Sequence, residues 1–148
     1  MMFPPTSDAL AVQVSRALIA REGTASAWGL TLEEAGEGYA RVRMPVREDM
    51  LNGHRTAHGA MIFALADSAF AYACNARNVA TVAQGATIHF LSPAQLGETL
   101  VAEAREVMLA GRSGSYVVEV RTADGRAVAS FHGLSRSIGG AVIEQEKR

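Results

Sequence analysis

The chain predicts an α+β fold in which a curved antiparallel sheet wraps one long helix. Three observations carry that expectation. Residues 59–75 are apolar nearly all round, rich in Ala, Leu and Met, without Pro, and with Ile62 as the sole β-branched side chain, so they read as a helix surrounded by other structure. Four strand-like runs follow at 79–91, 99–109, 115–122 and 126–137, divided by segments rich in Gly, Pro, Ser and Asp. No repeat or linker interrupts the 148 residues, a length that suits one domain with a core that needs no disulfides.

The elements follow in order from local chemistry. Thr6, Ser7 and Asp8 offer N-cap side chains and Gly23 a stop, which places a helix at 9–21 with Leu10, Val14, Ala17, Leu18 and Arg21 at helical spacing. Residues 1–24 are therefore an N-terminal helical segment. From 39 to 46, Ala40, Val42, Met44 and Val46 alternate with Tyr39, Arg41 and Arg43, the period of a half-buried strand, and Pro45 marks its end or an edge. A polar loop at 51–58 leads into the apolar helix. Asp124-Gly125 is the strongest hairpin signal, and residues 141–148, beyond Gly139 and Gly140, are expected to fray.

Bulk composition excludes several function classes. The formal charge is −1 and the 14 Lys and Arg are scattered, so no field exists to attract nucleic acid or anionic lipid. The single cysteine, Cys74, allows no disulfide framework and reads as a small buried hydrophobe. His54 and His58 are four apart but lie in a loop with no third ligand, so no metal site and no cofactor are expected. The N-terminus lacks a basic region and a long apolar run, and the 59–74 run is short and carries Asp67. A soluble, cytoplasmic protein is the expectation.

Asp67 is the only charged residue between Gly59 and Cys74. A carboxylate in a segment that faces a core is costly to desolvate unless it is paired, wetted or protonated, on the order of the ~2–7 kcal/mol quoted even for neutral polar groups. At the start of the same helix, the first backbone N–H groups lack intrahelical partners, and Gly59 lets a carbonyl oxygen approach closely. The dipole adds roughly half a positive charge there. Close helix–sheet packing would also select Gly59. Asp67 follows Gly59 by eight residues, about 12 Å along the axis and roughly 80° around it. If both act on one bond they come from different copies of the chain, which predicts a homodimer with sites at its interface.

Asn52-Gly53-His54, His58-Gly59-Ala60 and the run from Leu65 through Asp67 to Asn75 resemble the signature of hotdog-fold acyl-CoA thioesterases, most closely the phenylacetate-degradation (PaaI) family. The resemblance continues more loosely through Phe90-Leu91-Ser92-Pro93 and Ser137-Ile138-Gly139-Gly140 and spans about residues 25–140. It implies a single hotdog domain over residues 1–148. It places the family's catalytic carboxylate on Asp67, its carbonyl-polarising N–H on Gly59, and its orienting amide on Asn52. The family often has a second Gly where Ala60 stands, but the N–H survives that change.

Asp67 would serve as general base or as nucleophile, and the sequence leaves that choice open. A thiolate leaving group with a conjugate-acid pKa of about 8.5 requires no general acid, so the sparse site suits thioesters. His58 is a candidate for orienting the loop, capping the helix or transferring a proton. Arg112, Ser113 and Arg136 resemble the places where such enzymes touch coenzyme A phosphates, although turn and edge-strand charges explain them equally well. Phe63, with Phe70 and Tyr72, is a candidate for the acyl pocket or simply for the core. The resemblance implies an acyl-CoA substrate, phenylacetyl-CoA or its ring-hydroxylated relatives, and a homotetramer built from two dimers. A hotdog hydratase or dehydratase, or a non-catalytic acyl-CoA sensor, would share these features. A regulator, however, would want a DNA-binding segment and a basic patch that the chain lacks.

Overall fold

The computed structural model describes residues 8–145. Thr6 and Ser7 lie outside these residues, and Asp8 is the N-cap: its carboxylate accepts the Ala11 N–H at 2.7 Å. Helix α1 then runs Ala9–Arg21 and buries Ala11 and Val14. It ends because Glu22 turns extended. Gly23, expected as the stop, instead opens a short second helix, α2 (Thr24–Trp28), which ends on left-handed Gly29.

Six strands form one antiparallel sheet: β1 (Thr31–Gly36), β2 (Tyr39–Pro45), β3 (Thr81–Phe90), β4 (Thr99–Ala110), β5 (Ser113–Thr122) and β6 (Ala127–Ser137). Their spatial order is β1-β2-β4-β5-β6-β3. β1 is not anticipated by the sequence, because a register shift between Leu32 and Glu34 breaks its alternation and two acidic residues occupy its middle. Arg41 on β2 neutralises both, at 2.7 Å from Glu33 and 2.7 Å from Glu34. Pro45 ends β2 beyond the reach of β1, where the lost donor has no ladder partner on that side.

The long helix, α3, spans Gly59–Asn75 and lies against one face of the sheet. Ile62, Leu65, Ala66, Ala69, Phe70 and Ala73 pack onto a layer that includes Val42, Leu100, Val118 and Phe131. Each large side chain fully buried here is worth about 1.5–3 kcal/mol, which is what holds the helix in the curve of the sheet. The helix is not enclosed all round, as its composition suggested. Ala60 is exposed, and Ala64, Asp67, Ser68 and Ala71 stay partly exposed on the face turned from the sheet. Cys74 is buried beside that core, and burial pushes its thiol up to about 12.

The far end of α3 is tied to the sheet by side-chain amides. Asn75 donates to the Thr81 carbonyl at 3.0 Å and accepts the Thr81 N–H at 2.9 Å, copying a strand pair where none exists. Of the tail expected to fray, residues 146–148 lie outside the described residues, while Val142 and Ile143 are tied down: Asn78 accepts their N–H groups at 3.0 and 2.9 Å. Next to this end, β3 is an edge strand with its own apolar exposure at Val82 and Phe90. None of the described helices is long and apolar enough to cross a membrane.

Gly133 on β6 sits under the Phe70 ring, and a Cβ there would lie 2.8 Å from two ring carbons. Replacing Gly133 by Ala therefore forces Phe70 off its rotamer, at a cost of about 1–3 kcal/mol. A urea titration should show a lower midpoint with an unchanged slope.

Candidate active site

The loop ahead of α3 is folded by one side chain. Asn52 Oδ1 accepts the His54 N–H at 2.9 Å and the Thr56 N–H at 3.2 Å, and its Nδ2 donates to Thr56 Oγ1 at 3.1 Å. Two backbone bonds dock the loop's end, Ala57 N–H to the Ala94 carbonyl and His58 N–H to the Met50 carbonyl, each at 2.8 Å. His58 is thereby delivered as the N-cap of α3.

The capping pattern decides which N–H is free. His58 Nδ1 accepts the Ala60 N–H at 3.0 Å, and the His58 carbonyl accepts the Met61 N–H at 2.9 Å. Among the described residues, Gly59 alone of these three N–H groups has no acceptor. With Nδ1 accepting, the neutral His58 ring carries its proton on Nε2. His58 itself is exposed and outside the cleft beside Gly59.

That cleft, of about 390 Å³, is lined by Asn52, Thr56, Gly59, Ile62, Phe90 and Pro93 among others. A Cβ on Gly59 would meet Phe90 Cζ at 3.1 Å, so a packing reason for glycine falls on the same residue as the unpaired N–H. The sequence could not separate them because they coincide.

Asp67 lies two turns further along α3, half-buried, with no hydrogen-bond or ion-pair partner among the described residues. Burial alone pushes its carboxyl above the usual range, which makes it a stronger base when ionised. It lines a second cavity of about 280 Å³ with Leu18, Phe70, Ala71 and Val82. This cavity shares no residue with the Gly59 cleft. Within one chain, then, the carboxylate and the free N–H open onto different spaces, as their roughly 12 Å axial separation requires.

The other candidates are dispersed. Arg112 and Ser113 line a third cavity of about 340 Å³ together with Cys74, Arg77 and Tyr116. Arg136 pairs in register with Ser113 but alternates outward, away from the buried Gly133 and Ser135, and does not line that cavity. Phe63 packs edge-on against Phe131 at 5.4 Å as part of the core margin and lines neither the Asp67 cavity nor the Gly59 cleft. Two residues that no sequence pattern joins meet in the Asp67 cavity: Tyr72 donates its hydroxyl hydrogen bond to Glu22.

Comparison with known proteins bears on this arrangement. The family model described as the thioesterase superfamily matches residues 54–129. The acyl-coenzyme A thioesterase PaaI of Escherichia coli is 41% identical over 130 residues, covering 88% of this chain and 93% of that protein. The solved structure of E. coli PaaI, from the phenylacetic acid degradation operon, superposes with a TM-score of 0.87 over 88% of this chain and 95% of its own. A single-residue variant of the phenylacetic acid degradation protein PaaI from Thermus thermophilus is 38% identical, with a TM-score of 0.76 over 79% of this chain and 100% of its own.

Because burial raises the folded-state pKa of Asp67 above its ordinary value of 3.8, the native chain holds that proton more tightly than the unfolded chain does. Stability therefore falls as pH rises from about 3.8 through the folded pKa. Asp67→Asn should raise the thermal midpoint near neutral pH, with the gain vanishing at pH values well below 3.8, where both side chains are neutral. Melting curves at the two pH values check this, and equal midpoints at neutral pH would show that Asp67 is not desolvated.

Proposed function

Because the chain belongs to the thioesterase superfamily, within the PaaI family of hotdog-fold acyl-CoA thioesterases, we propose that it hydrolyses phenylacetyl-CoA or ring-hydroxylated phenylacetyl-CoA. The observation that carries this reading is the pairing of one unpartnered, desolvated carboxylate with one free helix N-terminal N–H on the same helix. These are the two parts that thioester hydrolysis requires.

In the proposed reaction the thioester carbonyl oxygen sits against the Gly59 N–H, which stabilises the oxyanion as it develops. Asp67 takes the proton of an attacking water, or attacks the carbonyl carbon itself to give a mixed anhydride that water then opens. Either way the C–S bond breaks and the coenzyme A thiolate leaves without a general acid; the acid product takes the water oxygen when water attacks the acyl carbon, and an Asp67 oxygen when water opens the anhydride at the aspartyl carbon. The Asn52 amide lines the Gly59 cleft and has one Nδ2 hydrogen beyond those its loop uses, available to orient water or substrate.

The two parts meet only if the site is shared between copies. The edge of β3, with Val82 and Phe90 exposed, and the small-residue face of α3 around Asp67 supply adjoining surfaces for a homodimer. In that dimer Gly59 of one protomer faces Asp67 of the other, twice. A homotetramer of two such dimers completes the proposed assembly, with the charged outer face of the sheet left for the second contact.

Thiol release from phenylacetyl-CoA tests the reading. Asp67→Asn should lose about 10²–10⁴-fold in rate while still binding a non-hydrolysable analogue. Binding without release by the wild type would instead indicate an acyl-CoA sensor. With Gly59→Ala as the control for the Cβ contact with Phe90, Gly59→Pro, which also deletes the N–H at the first helical position, should cost about 10²–10³-fold more. Co-expressing Asp67→Asn with Gly59→Pro should restore activity through mixed dimers with one intact site. No recovery in isolated heterodimers would overturn the shared site.

A further inference from the structure

Of the three asparagines, only Asn52 is followed by glycine. The pair Asn52-Gly53 opens the loop ahead of α3, and Asn52 lines the Gly59 cleft. The other two, Asn75 and Asn78, are buried, precede Ala76 and Val79, and tie down backbone at the far end of α3.

The folded shape does not call for glycine at position 53. A Cβ there would meet nothing within 4 Å, and its φ lies outside the left-handed region that Arg55, two residues on, adopts. What glycine supplies is freedom for the Asn52–Gly53 peptide plane to turn over, because a turned plane carries φ of residue 53 to positive values. One backbone bond opposes that turn directly, Arg55 N–H to the Asn52 carbonyl at 3.1 Å. The Gly53 N–H enters no bond with another described residue, and residues 53–55 are exposed.

The Asn52 side chain is held in a way that favours attack at its amide carbon. Oδ1 accepts the His54 N–H at 2.9 Å and the Thr56 N–H at 3.2 Å, so two donors already face the oxygen that takes up negative charge when Cγ becomes tetrahedral. Nδ2 donates to Thr56 Oγ1 at 3.1 Å.

We propose that Asn52-Gly53 is a self-modifying site whose reaction disarms the Gly59 cleft. The Gly53 nitrogen loses its proton to hydroxide from the solvent and bonds to Asn52 Cγ. The Cγ–Nδ2 bond breaks, ammonia leaves with a proton from water, and a five-membered succinimide remains. Water then adds to one of its two carbonyls. Opening at Cγ gives an aspartyl side chain at position 52, and opening at the backbone carbonyl gives an isoaspartyl link in which the chain runs through Cγ.

Both products end the loop's service to the site. An aspartyl carboxylate still accepts from His54 and Thr56 but has no hydrogen to donate, and its charge lies in the cleft where the thioester oxygen becomes negative. An isoaspartyl link adds one carbon to the backbone ahead of the two bonds, Ala57 to Ala94 and His58 to Met50, that deliver the cap of α3. The loss of activity rests on the hydrolysis proposed above, whereas the modification itself does not.

The test ages the folded wild type at mildly alkaline pH and samples it for peptide masses and for thiol release from phenylacetyl-CoA. The peptide holding Asn52 should gain the mass by which a carboxyl exceeds a carboxamide and should take label from a protein-isoaspartate methyltransferase. The peptides holding Asn75 and Asn78 should do neither. Thiol release should fall in step with the conversion, to at least about 10²-fold below its starting rate, the size of one lost oxyanion contribution. Gly53→Ala, judged against its own starting rate, should keep both its peptide mass and its rate over the same period. Gly53→Ser serves if Gly53→Ala fails to fold, and Asn52→Asp should be slow from the start.

A peptide that stays unmodified in folded wild type, while the urea-unfolded chain converts, overturns the site. Conversion of Gly53→Ala at the wild-type rate overturns the part given to Gly53, and conversion with thiol release unchanged overturns the disarming. If fresh wild type releases no thiol, the hydrolysis fails and the peptide masses alone decide the modification.

Discussion

Everything in this chain depends on one helix held in the curve of one sheet. The side of α3 that faces the sheet is apolar because it must be, and that burial fixes the helix as a rigid rod. A rod fixes distances. The free N–H at its start and the carboxylate at its middle are kept roughly 12 Å apart, and no side-chain rotation can bring a backbone N–H to a carboxylate two turns away. A single reacting centre therefore requires a second copy of the helix. The proposed dimer is a consequence of this geometry, and the exposed edge of β3 beside the small-residue face of α3 gives it a place to form.

Asp67 is tolerated where it is because the surrounding side chains are small. Ala64, Ser68 and Ala71 leave its face open enough for partial hydration in the single chain, while no cation or donor among the described residues neutralises it. A salt bridge would lower its pKa and blunt it as a base. Leaving it unpartnered costs stability and keeps basicity, the trade that the proposed hydrolysis would call for. The other carboxylates show the contrast: Glu106, bound by both outer nitrogens of Arg77 at 2.6 and 3.0 Å, is held below the usual range and serves the fold.

Much of this was legible in the sequence, and the gaps have physical causes. Helix α3 could be read residue for residue, because its composition and the Gly59 boundary agree with its packing. β1 could not, because its acidic residues look solvated until Arg41 on the next strand is placed against them and a register shift breaks the alternation. α2 is too short for any periodicity to register. At the site, Gly59 and Asp67 announce themselves by being exceptions within an apolar run. Which N–H is free is another matter, since it depends on His58 turning its Nδ1 onto Ala60, a rotamer that no spacing encodes. Glu22 and Tyr72 stand 50 residues apart and share nothing in sequence; only the docking of α1 against the end of α3 brings them together.

The cavity beside α3 holds two carboxylates in opposite environments. Glu22 is oriented by a buried hydroxyl, so its direction is fixed and part of its accepting capacity is already engaged. Asp67 has no such partner and is free to meet water or a carbonyl carbon. A donor like the Tyr72 hydroxyl on Glu22 would lower the pKa of Asp67 and make it a weaker base. In the proposed dimer the carbonyl of the acyl group would be placed by the partner's helix terminus, within reach of this unpartnered carboxylate. In that arrangement, binding energy that fixes the carbonyl in the line of attack lowers the barrier instead of merely tightening the complex.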